Sequence, residues 1–355
     1  MSNSSERHIP AAAVRLAGFS LLEPDTLLQR FQPTWFNVWE AAQYKKANAR
    51  AGSGQWLLRR FGIDDAIQPA EALRKANYRD WLNGLGDACH QAVAQLGAKG
   101  EFQLRHERNA LLYVDSWGET TTFEEVNSWR DALSVDILPK NIVRDYGING
   151  FSGKLRGERN GLMSALLIAQ DMLNSDLSDN VIICGHFRSI PVLVFSEMQR
   201  YARPRGGAQG NSQASVERVG CLILKKTAPG GPWLHLSRYL RLPDAAGQAA
   251  RCLADGWLQH CGANTRQVLG VTPPAGALRQ LQQRAFERLP AALGHQALNE
   301  LYGDSGCMNP ALFWRYQQQF PSSPGHTLLS VLDGQGGAWL LENWLLENWL
   351  TEAMP

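Results

Sequence analysis

The stretch that most constrains this chain is residues 161–184, GLMSALLIAQDMLNSDLSDNVIIC. Residues 161–175 have helical spacing and carry apolar side chains on nearly every face. Such a helix must be buried on all sides. A turn at Asp179–Asn180 follows, and VIIC at 181–184 reads as a central strand covered on both faces. A fully buried helix running into a doubly covered strand calls for a layered, sheet-centred α/β architecture.

The rest of the chain fits that plan. An apolar run at 9–22, broken by Pro10, reads as a first strand. Residues 56–98 read as helical, with Leu82, Leu85, Cys89, Val93 and Leu96 at helical spacing. ALLYVD at 110–115 is a buried strand, and 139–147 is a short helix with Pro at its start and Gly at its end. Residues 202–217 (ARPRGGAQGNSQASVE) are rich in Gly, Ser, Gln and Arg and read as a mobile loop linking two halves. A second α/β pattern follows: strands at 219–225, 233–241, 267–271, 327–332 and 338–346, with helices at 246–261 and 276–289. The organisation expected is an N-terminal half at 1–200, a linker at 201–217 and a C-terminal half at 218–355. The tail repeats LLENW at 340–344 and 345–349, a local duplication or a sticky surface for a partner.

Composition narrows the function. Hydrophobic residues make up 44% of the 355, enough for a large core, and 12 Trp with only 19% charged residues favour large buried surfaces, a subunit interface among them. A formal net charge of +2 gives no field to recruit nucleic acid or an anionic membrane. No window is long and apolar enough to span a bilayer, and residues 1–15 lack a signal-peptide pattern. The six Cys are scattered without a CxxC pair, as in a reduced, cytoplasmic protein. HExxH, Walker A and a well-placed GxGxxG are absent, so no metal and no cofactor is expected.

Three stretches carry a family resemblance: 153–185 (GKLRGERNGLMSALLIAQDMLNSDLSDNVIICG), 267–289 (QVLGVTPPAGALRQLQQRAFERL), and YGDSGCMNP at 302–310 with LDGQGGAW at 332–339. Their order resembles the thiolase superfamily, most of all its β-ketoacyl-acyl-carrier-protein synthase III branch. The resemblance covers most of residues 80–350. It implies a five-layered αβαβα fold made of two duplicated halves.

It also implies a site, and there the chain departs from the pattern. The family uses a Cys at a helix N-terminus as acyl acceptor, with a His and an Asn that stabilise the thioester enolate. The Cys position falls on Arg159, or on Glu158 or Asn160 after a slip of one. The His position falls on Pro274, or Pro273, and the Asn position on Asp304. Arg stays protonated and accepts no acyl group, Pro has no side-chain base, and Asp has lost the amide donors. Cys184 and Cys221 read as buried strand thiols, and Cys307 lies in the third loop.

The resemblance therefore implies a non-catalytic, chain-length-factor-type subunit in polyketide, fatty-acid or related secondary-metabolite assembly. Its partners would be an active ketosynthase in a heterodimer, or itself in a homodimer, with an acyl-carrier protein as client and neither nucleic acid nor membrane involved. The thioester of phosphopantetheine or coenzyme A would be the group handled. A second reading is an acyltransferase with rewired residues, Ser152 or Asp304 serving as nucleophile or base near Arg159. A third is an unrelated α/β binding protein, which a fold without a duplicated core would select. Lys154, Arg156, Arg159 and His186 are candidates for anion or substrate binding. Ion pairs to Glu158 or Asp145 are the plain account of the cations, and a structural hydrogen bond that of His186. Arg203 and Arg205 are candidates for contacting an acidic carrier protein, or simply part of a solvated loop. GDSG at 303–306 and GFSG at 150–153 lack the surroundings of a protease loop or a nucleophile elbow.

Overall fold

The computed structural model describes residues 10–64, 66–124, 126, 128–136, 140–201, 212–228, 231–262, 264–321 and 325–345. Its strands are β1 (Val14–Leu22), β2 (Gln29–Arg30), β3 (Trp56–Arg59), β4 (Asn109–Asp115), β5 (Ser152–Arg156), β6 (Asn180–Phe187), β7 (Gln213–Val216), β8 (Arg218–Lys226), β9 (Trp233–Arg241), β10 (Thr265–Val271), β11 (Gly294–Ala297), β12 (Gly325–Leu332) and β13 (Gly337–Leu345). Its helices are α1 (Val38–Ala51), α2 (Pro69–Ala72), α3 (Tyr78–Ala94), α4 (Gly97–Leu104), α5 (Trp129–Asp136), α6 (Lys140–Asp145), α7 (Gly161–Asn174), α8 (Pro191–Glu197), α9 (Ala246–His260), α10 (Gly276–Phe286), α11 (Leu298–Tyr302) and α12 (Leu312–Gln319).

Ten strands lie in the order β11-β10-β12-β13-β9-β1-β8-β6-β4-β5, but β1 and β9 pair only at Val14 and Leu234. The ladder is thus two five-stranded sheets meeting edge to edge. Each repeats one topology. In the first, β5, β4 and β6 run parallel, β8 is antiparallel to β6, and β1 is antiparallel to β8. In the second, β11, β10 and β12 run parallel, β13 is antiparallel to β12, and β9 is antiparallel to β13. This is the expected duplication, and it removes the reading of an α/β protein without a duplicated core.

Strand parity sets the layers, because alternate side chains point to opposite faces. In the first sheet Leu111, Tyr113, Ile182, Cys184, Cys221 and Ile223 pack under Trp81, Leu85, Ala88 and Cys89 of α3. Their neighbours Leu112, Val114, Ile183 and Leu222 face the other way, onto Leu162, Leu166 and Leu173 of α7. The same central cluster takes Leu269, Val271, Leu329 and Leu341 from the second sheet, whose outer residues Val268, Leu328 and Leu340 pack on Trp257 of α9 and Phe286 of α10. The layers are therefore helix, sheet, helix, sheet, helix. Helix α7 is apolar on nearly all faces because it lies between two sheets. Its leucines at 162, 166 and 173 are almost wholly buried, each worth roughly 1.5–3 kcal/mol.

Three expectations need correction. Strand β8 belongs to the first sheet, so the halves change over between β8 and β9 and the expected boundary at 201–217 falls one strand early. An apolar strand fits either sheet, and pairing is not written in its own composition. The helical reading of 56–98 misses β3, which pairs with β2 and β7 in a separate three-stranded sheet. Finally, residues 213–216 of the supposed loop form β7; residues 202–211, with Arg203 and Arg205, lie outside the described residues. The first LLENW copy runs along β13, and residues 346–349 of the second also lie outside them.

Candidate functional site

Three connections meet where the two halves touch: β5 to α7, β10 to α10, and α11 to α12. Glycines allow the close approach. A Cβ on Gly161 would lie 2.8 Å from Val114 of β4 and 3.5 Å from Cys307. Gly185 of β6 and Gly220 of β8 pair directly, and a Cβ on either would meet Met308 at 3.1 and 2.9 Å. The glycine pair lets the 3₁₀ segment Gly306–Ala311 lie flat on the sheet. Gly306 itself has φ +49°, and a side chain there would strike the Phe187 ring.

Arg159 stands just before α7 and is 7% exposed. Its guanidinium forms a bidentate pair with Glu197 at the end of α8, Nε to Oε1 at 2.6 Å and Nη2 to Oε2 at 2.8 Å. Its Nη1 donates to Asp304 Oδ1. The Tyr201 hydroxyl donates to Glu197 Oε1 at 3.0 Å, and Asn309 Nδ2 donates to Asp304 Oδ1 at 2.6 Å. The backbone of Asp304 is fixed to β7: its N–H donates to the Ala214 carbonyl, and its carbonyl accepts from Val216, both at 2.8 Å. Burial opposes the charge on Arg159, but Asp304 and Glu197 outweigh it and hold the guanidinium well above its ordinary value. The triad has lone pairs and donors matched, except that the buried Asp304 Oδ2 has no hydrogen-bond partner.

Asp304 also lines a cavity of about 440 Å³, together with Pro274, Thr272, Arg218, Arg279 and Tyr302. The three positions singled out from the sequence thus gather. Arg159 touches Asp304, and Pro274 shares the cavity wall with Asp304. Arg159 is not on that wall. Of the two register alternatives, Glu158 turns outward to Arg200, and Asn160 precedes α7 without a side-chain capping bond.

The remaining candidates do other things. Ser152 is exposed at the start of β5. It is four residues of extended chain from Arg156, roughly 13 Å, and it is not on the cavity wall. It therefore stands apart from the cavity that Asp304 and Pro274 line. Lys154 is ion-paired, but to Asp115 at 3.0 Å rather than to Glu158 or Asp145. Arg156 is exposed on the same strand. His186 is 3% exposed, bonded through Nδ1 to the Tyr113 hydroxyl at 2.8 Å, with Nε2 3.6 Å from Asp115, and stacked on Trp81. Burial lowers its pKa to about 4, so the ring is neutral near pH 7.

Residues the sequence reading missed are Glu197, which completes the ion triad, and Tyr201 and Asn309, which donate hydrogen bonds to its carboxylates. Cys307 also proves to be the thiol beside the start of α7. Its Sγ–H donates to the His186 carbonyl at 3.3 Å, and burial pushes its pKa up to about 12, the opposite of a nucleophile. Far from this site, His235, His260 and His326 surround Glu342, the shortest contact being His260 Nδ1 to Oε1 at 3.0 Å. Among the described residues no group of three or more His, Cys, Asp or Glu is disposed to hold a metal ion. No helix of the described residues is long and apolar enough to cross a membrane.

No protein-family model matches the chain, and no curated protein does either. Solved structures do match. ChlB3, described as an acyltransferase, is 15% identical with a TM-score of 0.55, covering 94% of this chain and 98% of its own. The ishigamide ketosynthase/chain length factor is 16% identical with a TM-score of 0.56, covering 94% and 99%. AntDE:AntF, a type II acyl-carrier protein in complex with its ketosynthase, is 12% identical with a TM-score of 0.59, covering 94% and 99%. These end-to-end matches agree with the duplicated topology described above: the chain has a thiolase-like fold.

Proposed function

We propose that this chain is a ketosynthase-like protein that does not condense acyl groups and acts as a chain-length-factor-type partner subunit in polyketide, fatty-acid or related assembly. One observation carries the reading. The residue at the expected nucleophile position, Arg159, is a buried cation locked between Glu197 and Asp304. An acyl acceptor needs a lone pair facing a thioester. This guanidinium has none, and its donors are committed to carboxylates. Pro274 offers no proton to the cavity that Asp304 closes. Support also comes from the neighbours, which include a ketosynthase/chain length factor and a ketosynthase bound to its acyl-carrier protein. The partner is then an active ketosynthase, with carrier-protein phosphopantetheine or coenzyme A thioesters as the acyl source and the cytoplasm as the compartment.

The test is reconstitution. Co-expressed with active ketosynthases of its own organism, the chain should elute with one of them as a stable heterodimer, and its removal should change the product's chain length. A solitary monomer that alters no ketosynthase product would refute the proposal. The second reading, an acyltransferase with rewired residues, is favoured only by the unpartnered Asp304 Oδ2, which could serve as a base at the cavity wall. It predicts turnover of acyl thioesters that Asp304→Asn abolishes.

A further inference from the structure

Residues 35–39, TWFNVW without its leading Thr, form the most exposed apolar segment of the described chain. Trp35 is 88% exposed, Phe36 66%, Val38 73% and Trp39 57%. Trp35 and Phe36 lean edge to face with ring centres 5.6 Å apart. Three rings of roughly 200 Å² each, exposed to this degree, leave on the order of 500 Å² of contiguous apolar surface with Val38. That is the upper end of the largest patch on an ordinary monomer.

Local structure prevents these side chains from turning inward. Asn37 caps α1, its side chain accepting from Glu40 N–H at 3.1 Å, which fixes the direction of residues 35–39. The inner face of α1 is already filled, Tyr44 packing on Phe31 and Phe195 and Ala47 and Ala51 wholly buried. The outer face of α1 continues from Val38 and Trp39 through Ala42, Lys45, Lys46 and Ala49, all exposed. Neither lysine pairs with a carboxylate among the described residues. The only acid of α1, Glu40, is buried and paired to Arg74. Charge on the outer face is thus purely cationic, although the whole chain carries only +2.

We propose that this face docks on an anionic lipid surface, with Trp35, Phe36 and Trp39 dipping into the headgroup boundary and Lys45 and Lys46 meeting the phosphates. Two features favour lipid over protein. A Trp that is 88% exposed stands off the surface, as a wedge into a soft phase requires. The cations are lysines, which protein interfaces deplete in favour of Arg but which membrane-adjacent basic segments use freely. Chain-wide net charge and the absence of a spanning helix gave no reason to expect a membrane, because both average over what α1 concentrates.

The test is co-sedimentation of the full chain with vesicles of phosphatidylcholine alone and of phosphatidylcholine with phosphatidylglycerol. The anionic vesicles should retain the protein at low salt and release it as salt rises. Trp35→Ala with Phe36→Ala should weaken retention roughly tenfold or more, and Lys45→Glu with Lys46→Glu should abolish the preference for anionic vesicles. Both variants alter exposed side chains, so their unfolding should match the parent and report folding separately. Failure of the parent to sediment with anionic vesicles, or equal retention of the aromatic variant, would overturn the proposal. So would a parent that stays in the supernatant as a dimer which the aromatic variant dissolves, since the face would then belong to a second copy of the chain.

Discussion

Arg159→Met removes the cation but keeps most of the side-chain volume. Glu197 and Asp304 then face each other in a site where their side chains are 2% and 3% exposed. Breaking a buried ion pair from one side costs about 3–5 kcal/mol, because the orphaned carboxylates keep their desolvation penalty. At roughly 2 °C per kcal/mol for a chain of this size, the melting temperature should fall by about 6–10 °C. Chemical denaturation at pH 7 measures the loss directly. The pH dependence supplies a second check. Burial pushes the Glu197 carboxyl up even with Arg159 present. Without Arg159 it rises further, so the folded variant takes up a proton that the unfolded chain does not. The deficit should therefore narrow as pH falls from 7 toward 5. Adding Glu197→Gln to Arg159→Met should recover part of the loss, as expected for coupled neighbours. An Arg159→Met variant within about 1 kcal/mol of the parent at pH 7 would refute the ion triad as described.

Two further outcomes follow from the buried groups. His186 has a pKa of about 4, so folding favours its neutral ring; that stability is whole above the ordinary value of 6.5 and is lost as pH falls from there toward 4, about 3 kcal/mol in all. His186→Asn should flatten that part of the stability profile, and an unchanged slope would show that the ring titrates normally. Cys307, wholly buried with a pKa pushed up to about 12, should resist iodoacetamide at pH 8 in the native chain, while the partly exposed Cys252 and Cys261 react; peptide mass mapping reads this, and fast native labelling at Cys307 would show an accessible thiolate.

The central elements were legible because their own residues over-determine them. Helix α7 is apolar on nearly every face, and β4, β6 and β8 each hold an apolar run covered on both sides, a pattern that a multilayer core accommodates. What stayed hidden was pairing. β8 could join either sheet, and β3 has too few residues for alternation to outweigh the helical segments after it. The site was half legible. Arg159, Pro274 and Asp304 were located by the order of motifs, which fixes position without revealing contacts. Glu197 and Tyr201 lie 38 and 42 residues beyond Arg159 in an apolar helix and the turn after it, where nothing local marks a charge partner. Lys154 was read against carboxylates near in sequence, whereas its partner Asp115 lies on the adjacent strand β4.

The most direct test of the account is intact-mass measurement of the full chain after incubation with acyl-coenzyme A and acyl-carrier-protein thioesters. With Arg159 locked by Glu197 and Asp304, and Cys307 buried as a neutral thiol, the mass should stay that of the unmodified chain and no thioester should be consumed. A gain equal to one acyl group, mapped to any side chain around the cavity, would contradict the claim that this site no longer accepts acyl groups.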